Sequence, residues 1–196
     1  MLFNKGDKIN NYTVAFQLKQ SYYAETYRVK NGNGSTLFLK LINFSHLNRN
    51  QIDDNGCVIE IEIAKLLNNH NLCKYIDSGS IMINGGQCSY IVTEYISSET
   101  LSQKIIRDGN FSVYEIKTIA KSVLSVLQYL HSQTIPIIHN EVTIQNVLLN
   151  LTGGLEDLKL IDFCNARLLN KQPSKPNLHE LNVFYLSPYI LSAISK

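Results

Sequence analysis

The chain has 196 residues, 44% of them hydrophobic and 17% charged, which supports one folded domain with a buried core and excludes a disordered chain. Its formal net charge is only +2, with Lys and Arg scattered along the sequence, which excludes the strongly basic footprint of a nucleic-acid or anionic-membrane binder. The four cysteines, Cys57, Cys73, Cys88 and Cys164, are widely separated; they fit neither a zinc site nor a disulfide framework and point to a reducing, cytoplasmic setting.

The N-terminus reads Met-Leu-Phe-Asn-Lys-Gly-Asp and does not resemble a signal peptide. No apolar run approaches the ~18 residues of a membrane span, so no spanning segment is expected. Short β-rich runs then predict strands at 12–16, 25–29 and 36–42, the last two joined by the Asn31-Gly32-Asn33-Gly34 turn. Over 58–67, Ile59, Ile63, Leu66 and Leu67 fit a helical stripe, while Ile59, Ile61 and Ile63 also alternate as in a strand. Two more strands, 74–80 and 89–95, flank the turn at Asn84-Gly85-Gly86. Together these give a five-stranded antiparallel sheet with one helix.

The second half changes character. Ser112-Val-Tyr-Glu115 is a capping box that opens a helix whose stripe is Ile116, Ile119, Ala120, Val123, Leu124, Leu127 and Leu130, ending before Pro136. Short apolar strands follow at 146–150 and 158–161, and the tail after Asp162 reads as irregular, with Pro173, Pro176 and Pro188. A β-rich part followed by a helical part implies an α+β fold in two lobes, residues 1–96 and 97–196, with a ligand cleft expected near the seam.

The sharpest chemical signal lies in the second half. His139-Asn140-Glu141 is followed by Asn146, then by the apolar strand Val147-Leu148-Leu149, and Leu160-Ile161-Asp162-Phe163 ends the next strand. A carboxylate, an amide five positions on and a second carboxylate suit phosphoryl transfer: the first acts on an acceptor hydroxyl, and the other two hold Mg²⁺ against phosphates.

On these residues the chain resembles the eukaryotic-type protein-kinase family, whose signatures are H-R-D-L-x-x-x-N, D-F-G and A-P-E. Here they read His139-Asn140-Glu141-Val142-Thr143-Ile144-Gln145-Asn146, Asp162-Phe163-Cys164 and Ser187-Pro188-Tyr189. Leu37-Phe38-Leu39-Lys40 is similar to the family's V-A-I-K strand, and Glu60, with Glu62 as the fallback, matches the helix glutamate that pairs with that lysine. Leu67-Asn-Asn-His-Asn-Leu72 resembles the segment after that helix, and Ser98-Glu99-Thr100-Leu101 the start of the second lobe. The resemblance covers nearly the whole chain and implies ATP and Mg²⁺ as cofactors. It makes Glu141, Lys40 and Glu60 the catalytic set and Asn146 and Asp162 the metal ligands. It gives nucleotide contacts to Lys40, Thr26, Phe38, Thr93 as gatekeeper, Glu94, Ile96 and Leu148. His139 would be structural, packed near Phe163.

The departures bear on activity. The glycine-rich loop aligns with Lys19-Gln-Ser21-Tyr-Tyr-Ala24-Glu-Thr26, without a glycine, so phosphate contact should be poorer. Phe38 stands where the family has an alanine against adenine and is expected to fill part of that pocket. Glu141 replaces the catalytic aspartate, and a displacement of about 1 Å can cost ~10²-fold in rate. Asn140, Thr143, Cys164 and Tyr189 replace the family's arginine, lysine, glycine and glutamate. The large helices expected to complete the second lobe are absent, so a longer protein or a partner is expected to cover the 113–131 helix.

The first expectation is therefore a kinase-like domain that transfers the γ-phosphate of ATP weakly to a protein Ser/Thr hydroxyl. The second is an inactive pseudokinase that binds or scaffolds, and the third a small-molecule phosphotransferase.

Overall fold

The structure, a computed structural model, describes residues 2–169 and divides into two compact units. The first comprises Met1–Leu67 and Cys73–Ile96, the second Asn68–Leu72 and Ser97–Lys196. The expected irregular tail with its three prolines and the Ser187-Pro188-Tyr189 element lie outside the described residues.

The first unit is built on β1 (Lys8–Ile9), β2 (Tyr12–Gln20), β3 (Ala24–Lys30), β4 (Thr36–Asn43), β5 (Tyr75–Ile83) and β6 (Gly86–Glu94). All pairs are antiparallel, and the order is β1-β2-β3-β4-β6-β5. The sheet thus has six strands where five are expected. The extra one is a two-residue strand folded back by Asn10, which takes a left-handed φ of 50° that asparagine tolerates. A run that short leaves no periodicity to detect.

Strand alternation sorts β4 into two faces. Leu37, Leu39 and Leu41 join Val14, Tyr27, Val29, Tyr90 and Val92 in one buried cluster. The sheet curls around this cluster: Tyr12 Oη on β2 donates to Asp77 Oδ2 on β5 at 2.7 Å, and Asn10 Nδ2 donates to Tyr90 Oη at 3.2 Å. Gly79 packs closely on Tyr90: a Cβ there would come within 2.5 Å of the phenol oxygen, so any larger residue would have to shift the ring.

Residues of the opposite parity, Phe38, Lys40 and Ile42, face the other side, where α1 (Ile59–Leu66) lies. The helix reading over 58–67 holds and the strand alternative fails. Two carboxylates, Glu60 and Glu62, sit in the first turn and Lys65 in the last, which matches the helix dipole. The stripe differs at two positions. Leu66 is exposed and Ile61 is buried with Ile59 and Ile63, because a helix of eight residues makes only about two turns.

In the second unit, β7 (Ser98–Thr100) leads into α2 (Leu101–Asp108), followed by α3 (Val113–His131) and β8 (Ile137–Ile138). β9 (Val147–Asn150), β10 (Leu158–Leu160) and β11 (Arg167–Leu168) complete it. The sheets are β10-β9-β7 and β11-β8. The Ser112 box forms as predicted: Ser112 Oγ accepts from Glu115 N–H at 3.3 Å and Glu115 Oε2 from Ser112 N–H at 2.8 Å. Helix α2 was not anticipated, although Thr100 and Gln103 make the same reciprocal cap at its start.

On α3 the buried residues are Ile119, Val126 and Leu130, whereas Ile116 and Leu124 of the expected stripe are exposed. The segment 68–72 is strapped into this unit. Asn71 Nδ2 donates to the Glu156 and Leu158 carbonyls at 2.9 Å each, and the buried Lys159 ammonium donates to the His70 carbonyl at 2.5 Å. No helix among the described residues is long and apolar enough to cross a membrane.

Candidate functional site

The candidate residues fall on both units. In the first, Lys40 stands at the middle of β4, paired with Thr26 on β3 and Ile91 on β6. The next row on the same face is Arg28, Phe38 and Thr93. Thr26, Phe38, Lys40 and Thr93 therefore share one side of the sheet, and Phe38 does not turn into the opposite cluster.

Lys40 Nζ donates to Glu60 Oε1 at 2.8 Å and Oε2 at 2.9 Å, with side-chain exposures of 9% and 10%. Removing two charges from water is costly, so a pair this buried is retained only with good geometry and further hydrogen bonds. One of those comes from Tyr23, whose phenol oxygen lies 3.1 Å from Nζ. Glu62, the fallback partner, instead meets the exposed Lys65 at 2.7 Å. At the end of β6, Glu94 Oε1 accepts from Lys74 N–H at 2.9 Å and the Glu94 carbonyl from Thr93 Oγ1 at 3.3 Å. Ile96 closes the unit.

In the second unit, the loop from His139 to Asn146 and the turn from Asp162 to Ala166 hold each other. His139 is 1% exposed. Its Nε2–H donates to the Ile161 carbonyl at 3.1 Å, its Nδ1 accepts from Glu141 N–H at 3.3 Å, and its ring lies 4.7 Å from Phe163 edge to face. Burial pulls its pKa down to about 4, so the ring is neutral near pH 7 and acts as packing. Asn140 and Asp162 take left-handed φ of 64° and 66°, which short polar side chains allow. Cys164, in the place of a glycine, is not among the positive-φ residues, so the substitution carries no such strain.

Asn146 is placed by β9. Its N–H donates to the Thr143 carbonyl at 3.0 Å, and its carbonyl accepts from Ile161 N–H at 2.9 Å, the residue before Asp162. Its side-chain Nδ2 donates to the Glu141 carbonyl at 3.0 Å, so Oδ1 is the amide atom that could ligate a cation. An amide oxygen with a carboxylate is a hard oxygen set that fits Mg²⁺, which takes one or two protein ligands and completes its shell with water and phosphate. Glu141 Oε2 accepts from Asn165 Nδ2 at 3.1 Å and lies 3.8 Å from Cys164 Sγ. Leu148, half-buried on β9, is paired with Thr100 and Lys159.

Tyr23 at Lys40 and Asn165 at Glu141 touch candidate groups without having been singled out from the sequence. Asn165 directly follows Asp-Phe-Cys, and its amide is the sequence feature by which it could have been found.

The family profile of the protein kinase domain matches residues 12–196. The chain is 28% identical over 166 residues, 83% of its length, to the probable serine/threonine-protein kinase nek3 of Dictyostelium discoideum. It is 31% identical over 131 residues, 67% of its length, to calcium-dependent protein kinase 6 of Plasmodium berghei. It is 29% identical over 116 residues, 59% of its length, to serine/threonine-protein kinase WNK3 of Mus musculus. The chain spans 14%, 8% and 6% of those three proteins respectively. With that profile over nearly all of its length and the kinase fold in its sheet, this chain belongs to the eukaryotic-type protein kinase superfamily.

Proposed function

We propose that this chain binds ATP with Mg²⁺ and transfers the γ-phosphate, at a low rate, to a Ser or Thr hydroxyl of a protein. The observation that carries this reading is the buried Lys40–Glu60 pair at 2.8 Å. A lysine fixed by a carboxylate on a strand, with its charge kept from water, is the arrangement that kinases use to hold phosphate oxygens. Asn146 and Asp162 would hold Mg²⁺, which supplies charge neutralisation at the phosphates when bound. Glu141 would orient the acceptor hydroxyl and take its proton. Thr26, Phe38, Thr93, Glu94, Ile96 and Leu148 would surround the nucleotide. The setting is cytoplasmic, and the protein partner is a substrate.

A second reading, an inactive binding or scaffolding module, is favoured by Phe38, which stays on the face of Lys40 where adenine would pack, and by the glycine-free turn before β3. Radiolabelled γ-phosphate transfer to a generic basic protein separates the two. Slow transfer by the wild type that disappears in Asp162→Ala supports the kinase reading. Equal incorporation by both proteins, or none by either, supports the scaffold.

A further inference from the structure

The turn from β2 to β3 is closed and has no glycine. Ser21 N–H donates to the Ala24 carbonyl at 2.8 Å, and Ala24 N–H donates to Ser21 Oγ at 3.2 Å. Both amides, which an open loop would offer to phosphate, thus have acceptors inside the turn. The tip is pinned on both sides. The Tyr22 ring stacks on His46 at 4.6 Å while His46 Nδ1–H donates to the Tyr22 carbonyl at 2.6 Å, and Asn43 N–H donates to the Tyr23 carbonyl at 2.9 Å.

This geometry sends Tyr22 outward, at 71% exposure, and Tyr23 inward, at 7%. The Tyr23 oxygen lies 3.1 Å from Lys40 Nζ and its ring centroid 5.0 Å from the same nitrogen. An ammonium has three protons and accepts nothing. The Tyr23 oxygen is one of its acceptors, beside the two Glu60 oxygens.

We infer that Tyr23 is an internal competitor for the phosphate at Lys40. Its phenol oxygen occupies the side of the ammonium that an anionic oxygen would take, and nucleotide binds only by displacing it. The inference rests on the reading that Lys40 is the phosphate-holding lysine. It adds that the replaced glycine loop does more than bind phosphate poorly. The loop places a tyrosine oxygen against the buried lysine, so Tyr23 sets how tightly nucleotide binds.

The test uses Tyr23→Phe, which removes only the oxygen and keeps the ring. ATP is titrated calorimetrically into the wild type, Tyr23→Phe and Lys40→Ala. Separately, acetylation of Lys40 by acetic anhydride is followed by peptide mass spectrometry in nucleotide-free protein, with the exposed Lys8 as internal standard. The expected result is about tenfold tighter ATP binding by Tyr23→Phe than by the wild type, loss of binding in Lys40→Ala, and several-fold faster acetylation of Lys40 in Tyr23→Phe. Equal or weaker ATP binding by Tyr23→Phe overturns the inference. Undiminished binding by Lys40→Ala overturns both it and the reading beneath it. If neither wild type nor Tyr23→Phe binds millimolar ATP, the nucleotide reading fails and takes the inference with it, whereas measurable binding that Tyr23→Phe does not tighten overturns the inference alone.

Discussion

Asn165 Nδ2 donates to Glu141 Oε2 at 3.1 Å, so the residue three places after Asp162 fixes the carboxylate that would orient the acceptor hydroxyl. The same residue is itself held, because its carbonyl accepts from Asn140 Nδ2 at 2.9 Å. Two amides thereby tie the loop to the turn, one of them at the position where the family has an arginine.

Asn165→Leu keeps the volume and removes the donor. Loss of orientation at Glu141 should lower kcat by about tenfold with KM for ATP unchanged, read in steady-state phosphate transfer. A raised KM with unchanged kcat would show that Asn165 acts on nucleotide binding instead.

Glu60 and Glu62 stand two positions apart on α1 in opposite circumstances. Glu60→Ala leaves the buried Lys40 ammonium without its carboxylate and should cost about 3–5 kcal/mol. Glu62→Ala loses an exposed pair with Lys65 and should cost at most about 1 kcal/mol. Urea denaturation of both variants measures the difference.

His139 makes stability depend on pH. Its pKa is about 4 in the folded chain against the ordinary 6.5, chiefly through burial. Between those values the unfolded chain binds a proton that the folded chain does not. Stability therefore falls as pH drops through that window, by up to about 1.4 kcal/mol per pH unit from this group. The urea midpoint should decline from pH 6.5 toward pH 4, and His139→Gln should remove that share of the slope.

The α3 stripe gives a packing test. Leu130 is fully buried, and Leu130→Ala should cost about 2–5 kcal/mol. Leu124 is 64% exposed, and Leu124→Ala should change stability by no more than about 0.5 kcal/mol. Thermal unfolding of the two variants checks the ranking.

The parts legible in the sequence were those with long or redundant signals. The nineteen residues of α3 carried both a capping box and a stripe, and its bounds emerged as read. The β3–β4 and β5–β6 hairpins were marked by their Asn-Gly turns. The Lys40–Glu60 pairing came from a serial order of motifs, since either residue alone is an ordinary charged side chain.

What escaped was what depends on packing. Periodicity marks an apolar face but not which residues a neighbour covers, so Leu124 was expected inside and Val126 was passed over. Strand β1 is shorter than one period, and α2 was hidden by its weakly apolar composition despite its Thr100–Gln103 cap. Tyr23 reads as a loop residue in sequence, and only the closed turn turns it onto Lys40.

The central claim is that Lys40, Asn146 and Asp162 serve ATP and Mg²⁺. Thermal-shift titration of the 196-residue chain with ATP, with and without Mg²⁺, tests it most directly. A ligand that binds the folded state raises the midpoint by mass action. The account predicts a rise that grows with ATP, is larger with Mg²⁺, loses its Mg²⁺ increment in Asp162→Ala and vanishes in Lys40→Ala. An unchanged midpoint at millimolar ATP with Mg²⁺, or a rise that Lys40→Ala retains in full, would contradict it.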